Sequence, residues 1–126
     1  MGCRTAECAC GQLSVSLTGE PVKISVCHCT SCQKRTGSAF SVAVFFRRDA
    51  ARMEGTWRSF HRQGDSGLSV EFRFCPICGS TISWLPQFRP EWIGIAIGCL
   101  ADPSLRPSQS VYEADQRDWV RLAIEG

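Results

Sequence analysis

Cys75-Pro76-Ile77-Cys78-Gly79 sets two thiols on one tight turn, at the spacing a zinc knuckle uses. In such a turn the backbone N–H groups point at the cysteine sulfurs, and a glycine after the second thiol relieves strain. A redox pair is the rival reading of a single CxxC. A second pair far away in sequence, Cys8-Ala9-Cys10, favours the metal. Four thiolates close a tetrahedral shell, so Cys8, Cys10, Cys75 and Cys78 are expected to hold a structural zinc. That ion would tie the N-terminal segment to the middle of the chain, and its binding energy would count as folding energy.

A third cluster, Cys27-His28-Cys29-Thr30-Ser31-Cys32, supplies three more thiols without an evident fourth partner. Three thiolates leave a coordination position for water or substrate, so Cys27, Cys29 and Cys32 are expected to hold a second, functional zinc. His28 could complete the shell, but it sits between two cysteines, and neighbouring side chains on extended backbone point to opposite faces. It is expected to be a supporting or exposed histidine. His61 has no ligand-like neighbour and reads as a polar strand residue.

At 126 residues and 44% hydrophobic content, the chain suits one domain, residues 1–126, with a modest core. No apolar run approaches a membrane span, and Met1 to Gly11 is polar rather than signal-like. A cytoplasmic protein is expected. There, clustered thiols serve metals more often than disulfides, and an odd total of nine cysteines fits complete pairing poorly. The formal charge of +2 counts each cysteine as neutral; seven thiolates and two Zn²⁺ bring it to about −1. A nucleic-acid partner is disfavoured, since neither a basic stripe nor an RNA-binding aromatic signature is present.

Short β-type segments alternate with turn signals, which points to an all-β domain. Leu13, Val15 and Leu17 alternate with polar neighbours, and Ile24 and Val26 lead into the middle cysteine cluster. Residues 41–46, 56–62, 68–74, 81–85 and 92–97 are further strand candidates. Residues 31–36 read as a helical turn closed by Gly37, and 63–67 as a hairpin loop. Phe40, Phe45, Phe46, Trp57, Phe72, Phe74, Trp84 and Trp92 read as core, with Phe40 singled out beside the metal loop. Cys99 reads as a small buried residue and Cys3 as an exposed thiol near the terminus.

Cys8-Ala9-Cys10-Gly11, Cys27-His28-Cys29-Thr30-Ser31-Cys32-Gln33-Lys34, Gly37-Ser38-Ala39-Phe40 and Phe74-Cys75-Pro76-Ile77-Cys78-Gly79-Ser80 together resemble the successive motifs of the glutathione-dependent formaldehyde-activating enzyme family, which also includes centromere protein V. Gly98-Cys99-Leu100-Ala101-Asp102 is similar to a later family segment, and Trp119 and Leu122 to a C-terminal Trp-containing strand. The resemblance implies a β-tent fold of several small antiparallel sheets, a structural four-cysteine zinc and a second zinc on the CxCxxC cluster. It further implies a carbon–sulfur lyase that links glutathione and formaldehyde as S-hydroxymethylglutathione. On that reading the turn Gly37, Ser38 and Phe40 would wall a glutathione pocket, and Lys34 and Arg35 are the nearest cations to meet its carboxylates. The alternative of a different class is a non-catalytic zinc domain that binds glutathione or a protein partner.

Overall fold

The computed structural model describes residues 2–64 and 67–124. Its elements are β1 (Cys3–Glu7), β2 (Ser14–Thr18), β3 (Lys23–Cys27), α1 (Thr30–Thr36), β4 (Ser41–Arg47), β5 (Ala51–Glu54), β6 (Arg58–Gln63), β7 (Ser69–Phe74), β8 (Thr81–Pro86), β9 (Trp92–Ala96) and β10 (Gln109–Val111), with short 3-10 turns between them. The fold is all-β, as the alternation predicts. β1, β2 and β5 form a three-stranded antiparallel sheet, and the other strands form a seven-stranded sheet in the order β10-β3-β4-β9-β8-β7-β6. One pair departs from the antiparallel expectation: β10 runs parallel to β3, setting Ser110 against Val26 and Val111 against Cys27.

The two sheets lean on one apolar core. Val15 and Leu17 from the smaller sheet, with Ala6 and Leu13, meet Ile24, Val44, Phe46, Ile93 and Ile95 from the larger one. The side-chain period of two then sends the alternate residues of the larger sheet to its other face. There Ser25 and Cys27 of β3, Ala43 and Phe45 of β4, Trp84 of β8 and Trp92 of β9 line a cavity of about 750 Å³. The aromatic residues therefore divide. Phe46 is fully buried core, whereas Phe45, Phe72, Trp84 and Trp92 wall the cavity, which corrects the expectation that they only fill the interior.

β1, β5 and β10 were not predicted. Residues 116–124 form no strand, so the expected C-terminal strand around Trp119 and Leu122 is absent; Trp119 is 70% exposed, and its neighbour Val120 is the one buried there. The hairpin joining β6 and β7 pairs Gln63 with Ser69. Asp65 and Ser66 of the expected loop lie outside the described residues.

Candidate metal centres and cavity

The closed site is assembled from two turns. After β1 the chain folds back, Gly11 N–H donating to the Cys8 carbonyl and Cys8 N–H to that of Leu13. After β7, Cys75 N–H donates to Ser80 and Gly79 N–H to Cys75, with Gly79 in the left-handed region at φ 81°. The four Sγ atoms of Cys8, Cys10, Cys75 and Cys78 lie within 4.8 Å of one another. Cys10 Sγ stands 3.7 Å from both Cys8 Sγ and Cys75 Sγ. A tetrahedron with Zn–S bonds of about 2.3 Å has an edge of about 3.8 Å, so the donors fit that ion in number, type and spacing.

Donors around the sulfurs favour thiolates. Leu13 N–H reaches Cys8 Sγ at 3.3 Å and Ile77 N–H reaches Cys75 Sγ at 3.4 Å. The Ser80 hydroxyl and backbone hold the Cys78 thiol down at about 5. Gln12, which the sequence reading missed, donates from Nε2 to Cys75 Sγ at 3.0 Å and to the Thr56 carbonyl at 2.7 Å, and accepts from Thr56 N–H at 3.0 Å. Cys99 is half-buried against the same core, and burial pushes its thiol up. Cys3 is exposed.

The three-thiol site hangs from β3. Cys27 ends that strand, Cys29 caps α1 by accepting from Cys32 N–H at 3.4 Å, and Cys32 is buried on the first turn. Gly37 ends the helix in the left-handed region at φ 68°. The three Sγ atoms again fall within 4.8 Å of one another, a group that could hold a metal ion. The Cys27 thiol, then Cys29 and the charges of Arg35 and Arg62, hold Cys32 down at about 5 against desolvation. The same coupling, with burial, pushes Cys27 up.

His28 points away from this group. It is fully buried, with Nε2 2.9 Å from Ser110 Oγ and its ring edge-on to Phe40 at 5.8 Å, so it is a supporting residue and not an exposed one. Its backbone N–H donates to Val111 and its carbonyl accepts from Gln33 Nε2 at 2.8 Å. Gln33 in turn reaches the Asp115 carbonyl at 3.1 Å and accepts from Arg117 at 2.9 Å, which fastens α1 to the later chain.

The cavity opens directly on Cys27, Cys29 and Cys32. Of the residues proposed for a ligand pocket, Arg35 lines it, while Lys34, Gly37, Ser38 and Phe40 stand outside. The helix explains this: Cys32 and Arg35, three residues apart, share a face, and Lys34 is exposed on another. Gly37 is occupied in capping, and Phe40 lines a smaller recess of about 390 Å³ with Ser80 and Gly98. Arg62 and Arg89 were not anticipated as cavity residues. The available signal was strand parity, since Cys27 shares its face with Lys23 and Ser25 and, across the β3–β4 register, with Ser41, Ala43 and Phe45.

A family model described as glutathione-dependent formaldehyde-activating enzyme matches residues 3–115. No curated protein matches the chain. Among solved structures, the crystal structure of a Rhodobacter sphaeroides protein, a structural genomics target, is similar at a TM-score of 0.59 and 21% identity, over 79% of this chain and 91% of that one. That likeness supports the fold.

Proposed function

The chain belongs to the glutathione-dependent formaldehyde-activating enzyme family, and we propose that it is a zinc-dependent carbon–sulfur lyase acting on the adduct of glutathione with an aldehyde, S-hydroxymethylglutathione where the aldehyde is formaldehyde. The observation that carries this is a cluster of three thiols, with no fourth ligand beside them among the described residues, facing a large cavity. Cys27, Cys29 and Cys32 would hold the functional zinc, and Cys8, Cys10, Cys75 and Cys78 the structural one. When bound at the open site, zinc supplies a Lewis-acid position for a thiolate or a carbonyl oxygen.

The chain's own residues orient the reactants. Arg35, with Nη2 donating to Ser41 Oγ at 2.8 Å, fixes a cation beside the cysteines. Burial lowers its pKa while the charge of Cys32 opposes that shift, so the guanidinium and the thiolate support each other's charge. There Arg35 offers donors for a carboxylate of glutathione, and the aromatic wall sets apolar surface beside the reacting carbon. In the synthetic direction the thiol sulfur bonds to the carbonyl carbon, the C=O π pair moves to oxygen, and the proton lost by the thiol ends on that oxygen.

Residues 1–126 act on this reading as one zinc domain. Its thiols suit a reducing compartment, and a cytoplasmic location accords with this reading. No described helix is long and apolar enough to cross a membrane. The test is exchange spectroscopy on labelled formaldehyde and glutathione, because thiols add to aldehydes without a protein. Exchange faster with the zinc-loaded protein than in buffer supports the lyase; equal rates reject it. Tight glutathione binding without acceleration would move the protein to the non-catalytic class.

A further inference from the structure

Two arginines share one ring inside the cavity. The guanidinium carbon of Arg35 stands 4.7 Å from the Phe72 centroid and that of Arg62 5.0 Å from it. Arg35 also caps Trp84 at 4.6 Å, and Arg89 caps Trp92 at 5.0 Å. None of the three pairs with a carboxylate among the described residues, whereas Arg4, Arg47 and Arg73 each do. Like charges held on one apolar ring repel and lose hydration, which is unfavourable unless an anion joins them. The cysteine cluster supplies only part of that charge. Lys23 adds a fourth cation to the wall, where Asp115 is the one carboxylate among the described residues.

These cation–π contacts hold each guanidinium carbon over a ring without using the group's N–H donors in a hydrogen bond. The side chains of Arg62 and Arg89 donate to no protein acceptor among the described residues, so both forks are available to a carboxylate. The rings themselves match something flat. Phe45 and Trp92 pack with centroids 5.3 Å apart, Phe72 and Trp84 5.7 Å apart, and the exposed Phe88 stands at the rim. Formaldehyde brings only hydrogen to this surface, and glutathione has no ring.

We propose that the wall formed by Phe72, Trp84, Trp92, Arg62 and Arg89 receives an aromatic ring bearing a carboxylate, so that the aldehyde half of the substrate is an anionic aryl aldehyde, while Arg35 stays with the thiol. This rests on the lyase reading above. The step is the same addition: the thiol S–H breaks, the S–C bond forms at the aldehyde carbon, and the aldehyde oxygen gains the proton as the hemithioacetal hydroxyl. No oxidant or reductant is required.

Calorimetry on the zinc-loaded protein with three unreactive probes tests the wall apart from the reaction. Naphthoate should bind about tenfold or more tightly than neutral naphthylmethanol or aliphatic hexanoate, the margin for a charge-assisted pair on an aromatic platform. Arg62→Gln should remove that margin while naphthylmethanol, which reports the intact wall, still binds; Arg62→Lys should restore part of it. With glutathione as the thiol, carboxybenzaldehyde should exceed benzaldehyde about tenfold in kcat/KM. Naphthoate selectivity without turnover of any aldehyde would leave the wall's ligand class standing and reject the lyase. Acceleration with formaldehyde but equal affinities for the three probes would keep the lyase and overturn the anionic aryl substrate.

Discussion

The indole of Trp84 lies across Gly94, its register partner on β9: a Cβ built at residue 94 would stand 2.3 Å from Trp84 Nε1 and 2.7 Å from Cε2. Glycine is needed there because the neighbouring strand must pass under a ring, and that ring floors the cavity and stacks on Arg35. Sheet, cavity and cation are thus linked through one missing methyl group.

Gly94→Ala should therefore act on the cavity as well as on stability. Overpacking of this kind costs about 1–3 kcal/mol, and the displaced indole should lose its contact with Arg35. Thermal melting and the tryptophan emission spectrum check this. A variant with unchanged melting and emission would show that the ring is not seated as described.

Cys75→Ser exchanges a thiolate of the closed site for a neutral hydroxyl. If these four cysteines hold zinc, about one zinc per chain should be lost together with much of the folding stability, since metal binding and folding would be coupled there. Full zinc content with an unchanged melting temperature would remove the structural assignment of Cys8, Cys10, Cys75 and Cys78.

Gln12→Ala probes the amide that joins Cys75 to Thr56. Loss of a donor to a metal-bound sulfur lowers affinity about 10–100-fold in comparable shells. Competition with a chelator should show the closed site weakened by that order while the three-thiol site keeps its affinity. Equal chelator curves for wild type and variant would make Gln12 a mere turn residue.

Asp102 gives a pH-dependent contribution. The Ser104 hydroxyl and N–H, then Arg4 Nε at 3.0 Å, hold its carboxyl below the ordinary 3.8. A depressed folded-state pKa means stability that is fully present above about pH 4 and lost as pH falls through the folded value. Asp102→Asn should be less stable than wild type at pH 6, with the gap closing below pH 4 in urea titrations. A gap that stays constant to pH 3 would contradict it.

How far the sequence could be read depended on which residues carried a periodic signal. β2, β3 and β4 alternate apolar and polar residues or run apolar beside a clear break, and they fall where the pattern puts them. β1 (Cys-Arg-Thr-Ala-Glu) and β5 (Ala-Arg-Met-Glu) are short and half-exposed, so their hydropathy resembles loop; they are strands because β2 lies between them. β10 owes its place to a parallel pairing with β3 some eighty residues away, a contact no local pattern reports. The cysteine groups were legible because ligand spacing is local within each turn, and the structure brings both groups together as the spacings suggested. The cavity was not, because β4 is largely apolar on both faces, and residue types alone do not tell Phe45 from Phe46 without counting parity across the β3–β4 register from Cys27.

The division of labour between the two cysteine groups is tested most directly by counting zinc and following thermal unfolding in Cys29→Ser beside the wild type. Two zinc ions per chain in the wild type, one in the variant, and melting within a few degrees of each other is the expected result, because the closed site lies elsewhere in the fold. A variant that unfolds, or that keeps two zinc ions, would contradict the assignment of Cys27, Cys29 and Cys32 as the open site where the chemistry occurs.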